Sequence, residues 1–229
     1  MKNPLRHMRA QFRLAAVTLF VVLLLLLCIF MVVGCGSDDA ATDFTPPYQK
    51  TLCEVLTDST GCGVTVRFDD GHEAPLRNRI DELTPDSTYR VGATIVEDAQ
   101  GVTLYNATMI AAPMPAKFHP GETKADPVDV ITVWREPRYI NLRLAVACGN
   151  AETHSMAWAD GGTLISTDGK RVKTVTFCHD RHDAPSYYRR ETLVSCPVYQ
   201  LAGELRQGRD SVRVVVNTHE GRRSWSYPY

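Results

Sequence analysis

The sequence predicts an all-β protein: a small OB-like barrel followed by an antiparallel β-sandwich, behind an N-terminal signal helix. Three observations predict it. Apolar residues recur at every second position, as in Val64, Val66 and Phe68 against Thr65, Arg67 and Asp69, which is the period of a strand with one buried face. Turn residues such as Asp70-Gly71 and Asp98-Ala99-Gln100-Gly101 break these runs at short intervals. The one long uncharged run lies at the start of the chain, between residues 14 and 33.

That run follows Lys2, Arg6, Arg9 and Arg13, with no acid among them, and closes with Val32-Val33-Gly34-Cys35. Basic, then apolar, then small at a cut site is the order of a secretory signal. The ending resembles a bacterial lipoprotein signal, whose cysteine becomes the acylated first residue of the mature chain, so Cys35 is the expected lipid attachment site. Two or more acyl chains anchor stably, at about 0.8 kcal/mol per buried methylene. An uncleaved spanning helix is the alternative, since about 20 apolar residues cross a bilayer. Gly34-Cys35 and the tether that follows favour the lipoprotein. Residues 1–34 are therefore read as signal and 35–48 as tether. Gly36-Ser37-Asp38-Asp39 resembles the acidic signal of surface-exported Bacteroidetes lipoproteins and equally suits a solvated linker.

Residues 49–112 are expected to form the OB-like domain. Beyond the strand of Val64 to Phe68, a return strand is expected over 72–76, then strands led by Tyr89, Val91, Ala93 and Ile95 and by residues 102–110. Residues 79–83 are expected as a short helix stopped by Pro85. Several short strands in about 65 residues is the scale of a small barrel, of which the OB-fold is the obvious member. Pro113, Pro115, Pro120 and Pro127 then mark 113–127 as a linker. Residues 128–229 are expected as the sandwich, with strands over 128–135, 139–148, 153–159, 171–178, 188–196, 211–218 and 222–227, the last two joined by His219-Glu220-Gly221.

Asp126-Pro127-Val128, Val133-Trp134, Tyr139-Ile140-Asn141-Leu142-Arg143 and the closing hairpin from Asp210-Ser211-Val212 to Trp225-Ser226-Tyr227 resemble the NigD-like lipoproteins of Bacteroidetes. The resemblance implies an N-terminal OB-type domain, a C-terminal β-sandwich and a lipoprotein signal. The family is named from a gene cluster associated with a bacteriocin, nigrescin, and supplies no catalytic residues to carry over.

Removing residues 1–34 leaves 21 basic residues against 26 acidic ones, so the exported part is mildly acidic. Residues 36–126 hold 15 acids and 7 bases, whereas 127–229 hold 11 acids and 14 bases. An acidic first half argues against nucleic acid as partner, because phosphate affinity rests on cationic contacts. Cys53, Cys62, Cys148, Cys178 and Cys196 follow the anchor cysteine. Export permits disulfides, an odd number leaves one thiol over, and Cys53 and Cys62 are close enough in sequence to bridge; buried thiols packing as small hydrophobes is the other reading.

The densest polar stretch is Cys178-His179-Asp180-Arg181-His182-Asp183. His179, His182 and Asp183, with Cys178 in reserve, are the candidate metal ligands, since zinc takes imidazole, thiolate and carboxylate. Arg181 within the loop opposes a cation, and a solvated hairpin end explains the same residues. Ser155 beside His154 and Ser195 beside Cys196 lack a glycine-flanked elbow. Trp134, Trp158 and Trp225 are expected in the core, with a carbohydrate or protein platform as the alternative. Arg189-Arg190 and Arg222-Arg223 are expected on neighbouring strands as edge charges.

The expectation is a non-enzymatic, cofactor-free envelope lipoprotein at the outer membrane, surface-exposed or periplasmic. Its partners would be the membrane, through its lipid, and an unidentified protein, peptide or glycan. The alternative is a metal-dependent hydrolase using the loop at 178–183.

Overall fold

A computed structural model describes residues 48–119, 121–149, 154–182 and 186–229. The signal, Cys35, most of the tether and Asp183 lie outside the described residues. The described residues form one compact unit.

Its first part is a five-stranded antiparallel sheet of β1 (Gln49–Thr57), β2 (Gly63–Phe68), β3 (Glu73–Pro75), β4 (Thr88–Asp98) and β5 (Gly101–Met109), in the order β3-β2-β1-β4-β5. Cys53, Val55, Val66, Val91, Ile95 and Val102 bury the inner face. The sheet curls until its edges meet at one bridge, Leu76 to Val102, and the Arg77 amide donates to the Val102 carbonyl at 2.8 Å. Beyond that bridge the Asn78 side chain clasps the Leu104 amide and carbonyl at 2.8 and 3.1 Å, and the OB-like region is a curled open sheet, with no continuous ladder between β3 and β5.

No helix forms at 79–83. This stretch is tied to the start of β2 instead, with the Gly63 amide on the Ile80 carbonyl at 2.8 Å and the Leu83 amide on the Gly61 carbonyl at 3.2 Å. Glu82 takes a φ of 61°, outside the right-handed helical region.

The second part is a sandwich. One sheet holds β6 (Pro115–Ala116), β9 (Ser155–Ile165), β10 (Arg171–Asp180), β12 (Ser211–Thr218) and β13 (Gly221–Pro228), in the order β13-β12-β10-β9-β6. The other holds β7 (Asp129–Arg135), β8 (Tyr139–Cys148) and β11 (Tyr188–Pro197), with β8 central. Ile140, Leu142, Leu144, Trp158, Phe177 and Val214 lead the core between them. Each such side chain contributes roughly 1.5–3 kcal/mol by leaving water.

Two differences from the expected sandwich have physical causes. After β10 the chain crosses to the opposite sheet as β11, passes through a 3-10 turn at Val198–Leu201 and returns, so β12 runs parallel to β10. The proline-rich 113–127 segment is not free of the sheets: β6 pairs in parallel with β9, and Ala125 bridges His179.

Candidate functional site

A cleft of about 1080 Å³ opens between the curled sheet and the three-stranded sheet of the sandwich. The curled sheet supplies Leu52 from β1, Gly92 and Thr94 from β4, and Asn106, Thr108 and Met109 from β5, with Phe68, Asp70 and His72 from the β2–β3 hairpin. The sandwich supplies Trp134 from β7, Arg143 from β8 and Glu191 to Leu193 from β11.

A buried charge network behind this cleft joins the two parts. Glu54 lies opposite Arg67 on one neighbouring strand and Arg90 on the other. Its carboxylate is fully buried and accepts hydrogen bonds from Arg67 and Arg138 at 3.2 Å each and from the Tyr139 hydroxyl. Burial, followed by that bond to a carboxylate, raises the Tyr139 pKa. Arg90 turns instead to Asp69, held through both of its terminal nitrogens, one at 2.7 Å. Its guanidinium lies 3.9 Å from the centre of the Tyr139 ring and reaches Asn141 and Ser195 of the sandwich at 3.4 Å. Charges removed from water are tolerable only when paired and bonded in this way. The network holds β1 and β4 against the start of β8.

Around the opening, the Phe68 and His72 rings stack at 5.6 Å, His72 Nε2 lies 2.9 Å from Glu97, and Arg143 Nε lies 2.9 Å from Glu191. Five carboxylates line the cleft, those of Asp69, Asp70, Glu97, Glu136 and Glu191, against the cations of Lys50 and Arg143.

The polar stretch at 178–183 lies elsewhere, at the end of β10. Cys178 and His179 project from adjacent strand positions; the thiol lies 3.7 Å from the Thr176 carbonyl. His179 is buried, with Nε2 2.7 Å from His154 Nδ1 and Nδ1 3.4 Å from the Asp126 carbonyl. Burial and the neighbouring His154 depress its pKa. His182 instead meets the Ser155 hydroxyl at 2.8 Å and lies 3.6 Å from the Asp180 carboxylate. The two histidines thus serve separate polar contacts, and among the described residues no group of three or more His, Cys, Asp or Glu is placed to hold a metal.

The five cysteines among the described residues are free thiols, so Cys53 and Cys62 do not bridge. Trp158 is core, its indole donating to the Ser195 carbonyl at 3.0 Å; Trp225 packs on the core edge, and Trp134 faces the cleft. The two arginine pairs lie on β11 and β13, which are edge strands of different sheets rather than neighbours. The charge network escaped sequence reading because its members are single charges on strands far apart in the chain, visible together only once the strand register is known.

The family profile described as the NigD-like C-terminal beta sandwich domain matches residues 112–229. The chain belongs to the NigD-like family. Solved structures share the wider fold. A NigD-like immunity protein from Bacteroides caccae is 18% identical, with a TM-score of 0.58 over 81% of this chain and 99% of that one. A candidate toxin-related protein from Parabacteroides distasonis is 20% identical, with a TM-score of 0.59 over 80% and 93%. A candidate lipoprotein from Bacteroides fragilis is 14% identical, with a TM-score of 0.58 over 80% and 98%. At these identities the likeness is one of fold. No curated protein matches the chain.

Proposed function

We propose that this member of the family is a lipid-anchored cell-envelope protein that binds a protein, peptide or glycan in the cleft between its two parts, without transforming it. The observation that carries the binding role is the cleft itself, large enough for several residues of a ligand and floored by Leu52, Ile110 and Trp134. The buried charges behind it pre-organise its walls, which lowers the entropy lost on binding. Support for the anchor comes from the run ending at Cys35 and from the candidate lipoprotein among the fold neighbours. The neighbour named an immunity protein suits a role exercised by binding.

Intact mass of the membrane-extracted protein, combined with protease treatment of whole cells, tests the anchor and its exposure. A mass equal to residues 35–229 plus acyl chains, with cleavage by external protease, is expected. A full-length unacylated mass overturns the anchor, and protection from protease turns the search for ligand to the periplasm. For the cleft, Thr94→Trp places an indole on its β4 wall and is expected to abolish ligand capture while the fold is retained.

A further inference from the structure

The cleft has a wall geometry that selects among those ligand classes. Two of its walls are sheet edges: β5 is the outer strand of the curled sheet, and β11 is the outer strand of the three-stranded sheet. They converge where Ala111 bridges Val194, with the Ser195 amide on the Ala111 carbonyl at 2.9 Å. Leading up to that bridge, Asn106, Thr108 and Met109 on β5 and Glu191 to Leu193 on β11 line the cleft, and among the described residues no further strand pairs with these stretches. An edge strand offers a row of backbone donors and acceptors that an extended chain completes by adding as a further strand. A glycan offers hydroxyls that bond single backbone groups but lacks the regular repeat of donors and acceptors that matches a strand edge.

Charge selects the sequence of that chain. Arg90 neutralises Asp69, and Arg143 meets Glu191, which leaves Asp70, Glu97 and Glu136 facing Lys50 and His72. The opening is therefore anionic over an apolar floor, with the Trp134 and Phe68 rings at hand for a cation. Side chains of an added strand alternate in direction, so one set meets the carboxylates and the other the floor.

We infer that the cleft takes an extended peptide segment in which lysine or arginine alternates with apolar residues, added to the free edge of β5 or β11. This rests on the reading of the cleft as the ligand site.

The test uses full-length protein in non-ionic detergent and three fluorescent peptides of about 12 residues, in which valine alternates with lysine, serine or glutamate, followed by anisotropy; chito-oligosaccharide serves as the glycan probe. The lysine peptide is expected to bind, to weaken by about fivefold with Asp70→Asn and again with Glu136→Gln, and to weaken as salt rises from about 0.05 to 0.5 M. Thr94→Trp is expected to abolish it. Equal binding of the serine peptide, or binding of chito-oligosaccharide alone, with sensitivity to Thr94→Trp, overturns the cationic-peptide assignment and leaves the cleft as a ligand site. If no probe shows binding that responds to Thr94→Trp, both readings fall.

Discussion

The Tyr139 hydroxyl at the start of β8 donates a hydrogen bond to the Glu54 carboxylate in the middle of β1, joining the two parts of the protein through a buried bond. Glu54 also compensates Arg67 and Arg138, and although Arg67 keeps Glu73 as a second carboxylate, the loss of Glu54 takes from Arg138 its carboxylate partner. Glu54→Ala is expected to cost about 3–5 kcal/mol, the range for breaking a buried ion pair from one side. Tyr139→Phe removes one bond but keeps the ring beneath Arg90, and is expected to cost about 1–3 kcal/mol. Urea denaturation of both variants checks the order; equal losses would show that the hydroxyl bond, and not the ion pairs of Glu54, makes the junction.

Gly101 is the second expected weak point. It turns β4 into β5 with a φ of 131°, and a Cβ there would lie 2.3 Å from the Pro75 carbonyl oxygen. This is where the two edges of the curled sheet come together, so neither the backbone nor its neighbour can yield cheaply. Gly101→Ala is expected to destabilise by more than the ~1 kcal/mol cost of a left-handed non-glycine residue. Hydrogen exchange at the Arg77 amide gives the local readout: unchanged protection would mean that the edges close without the glycine.

Thiol chemistry offers a third. Cys62 is the half-exposed cysteine among the five described, with Sγ 3.1 Å from the Asp81 carboxylate. Burial pushes the Cys53 thiol up to about 11 and raises that of Cys196 as well, so neither supplies thiolate near neutrality. Maleimide at pH 8 is expected to label Cys62 first and the buried Cys53 and Cys196 thiols only after unfolding, as read by peptide mapping. Early labelling of Cys53 would mean that β1 opens locally.

How much of this was legible in the sequence depends on how each strand is buried. The strand expected over 139–148 is β8, and the one expected over 211–218 is β12, because their alternation of apolar and polar residues matches a sheet with a core on one side. β1 gave no such signal: Cys53, Glu54 and Val55 are buried consecutively, since Glu54 faces the interface and its neighbours the core. A charged residue at that position reads as solvent-facing until its partners are known. The cleft was illegible for the same reason, its walls coming from β1, β4, β5, β8 and β11, whose pairing no local pattern encodes. The loop at 178–183 drew attention by composition, yet strand geometry distributes its side chains among unrelated partners.

The last prediction concerns acid. His179 Nδ1 can donate to the Asp126 carbonyl, and Nε2 then accepts from His154 Nδ1, so the buried ring sits neutral against a second imidazole. Asp126 and Asp180 favour its protonation, but burial and the charge of His154 outweigh them and depress its pKa below the ordinary 6.5. A base with a depressed folded pKa binds fewer protons folded than unfolded throughout the interval between the two values. Stability therefore falls as pH drops from about 6.5 toward the depressed folded value and is insensitive to this group above that interval. The Asp126 segment, tied to β10 by its amide on the His179 carbonyl at 2.8 Å, is expected to loosen first. Denaturation curves at pH 7.5 and 5.5 should separate for the wild type and converge for His179→Gln, whose side chain does not titrate. The carboxylates with lowered pKa, Asp160 and Asp180 among them, act below pH 4 and leave this window to the imidazoles. A His179→Gln protein with the same acid sensitivity as the wild type would assign the effect to another histidine.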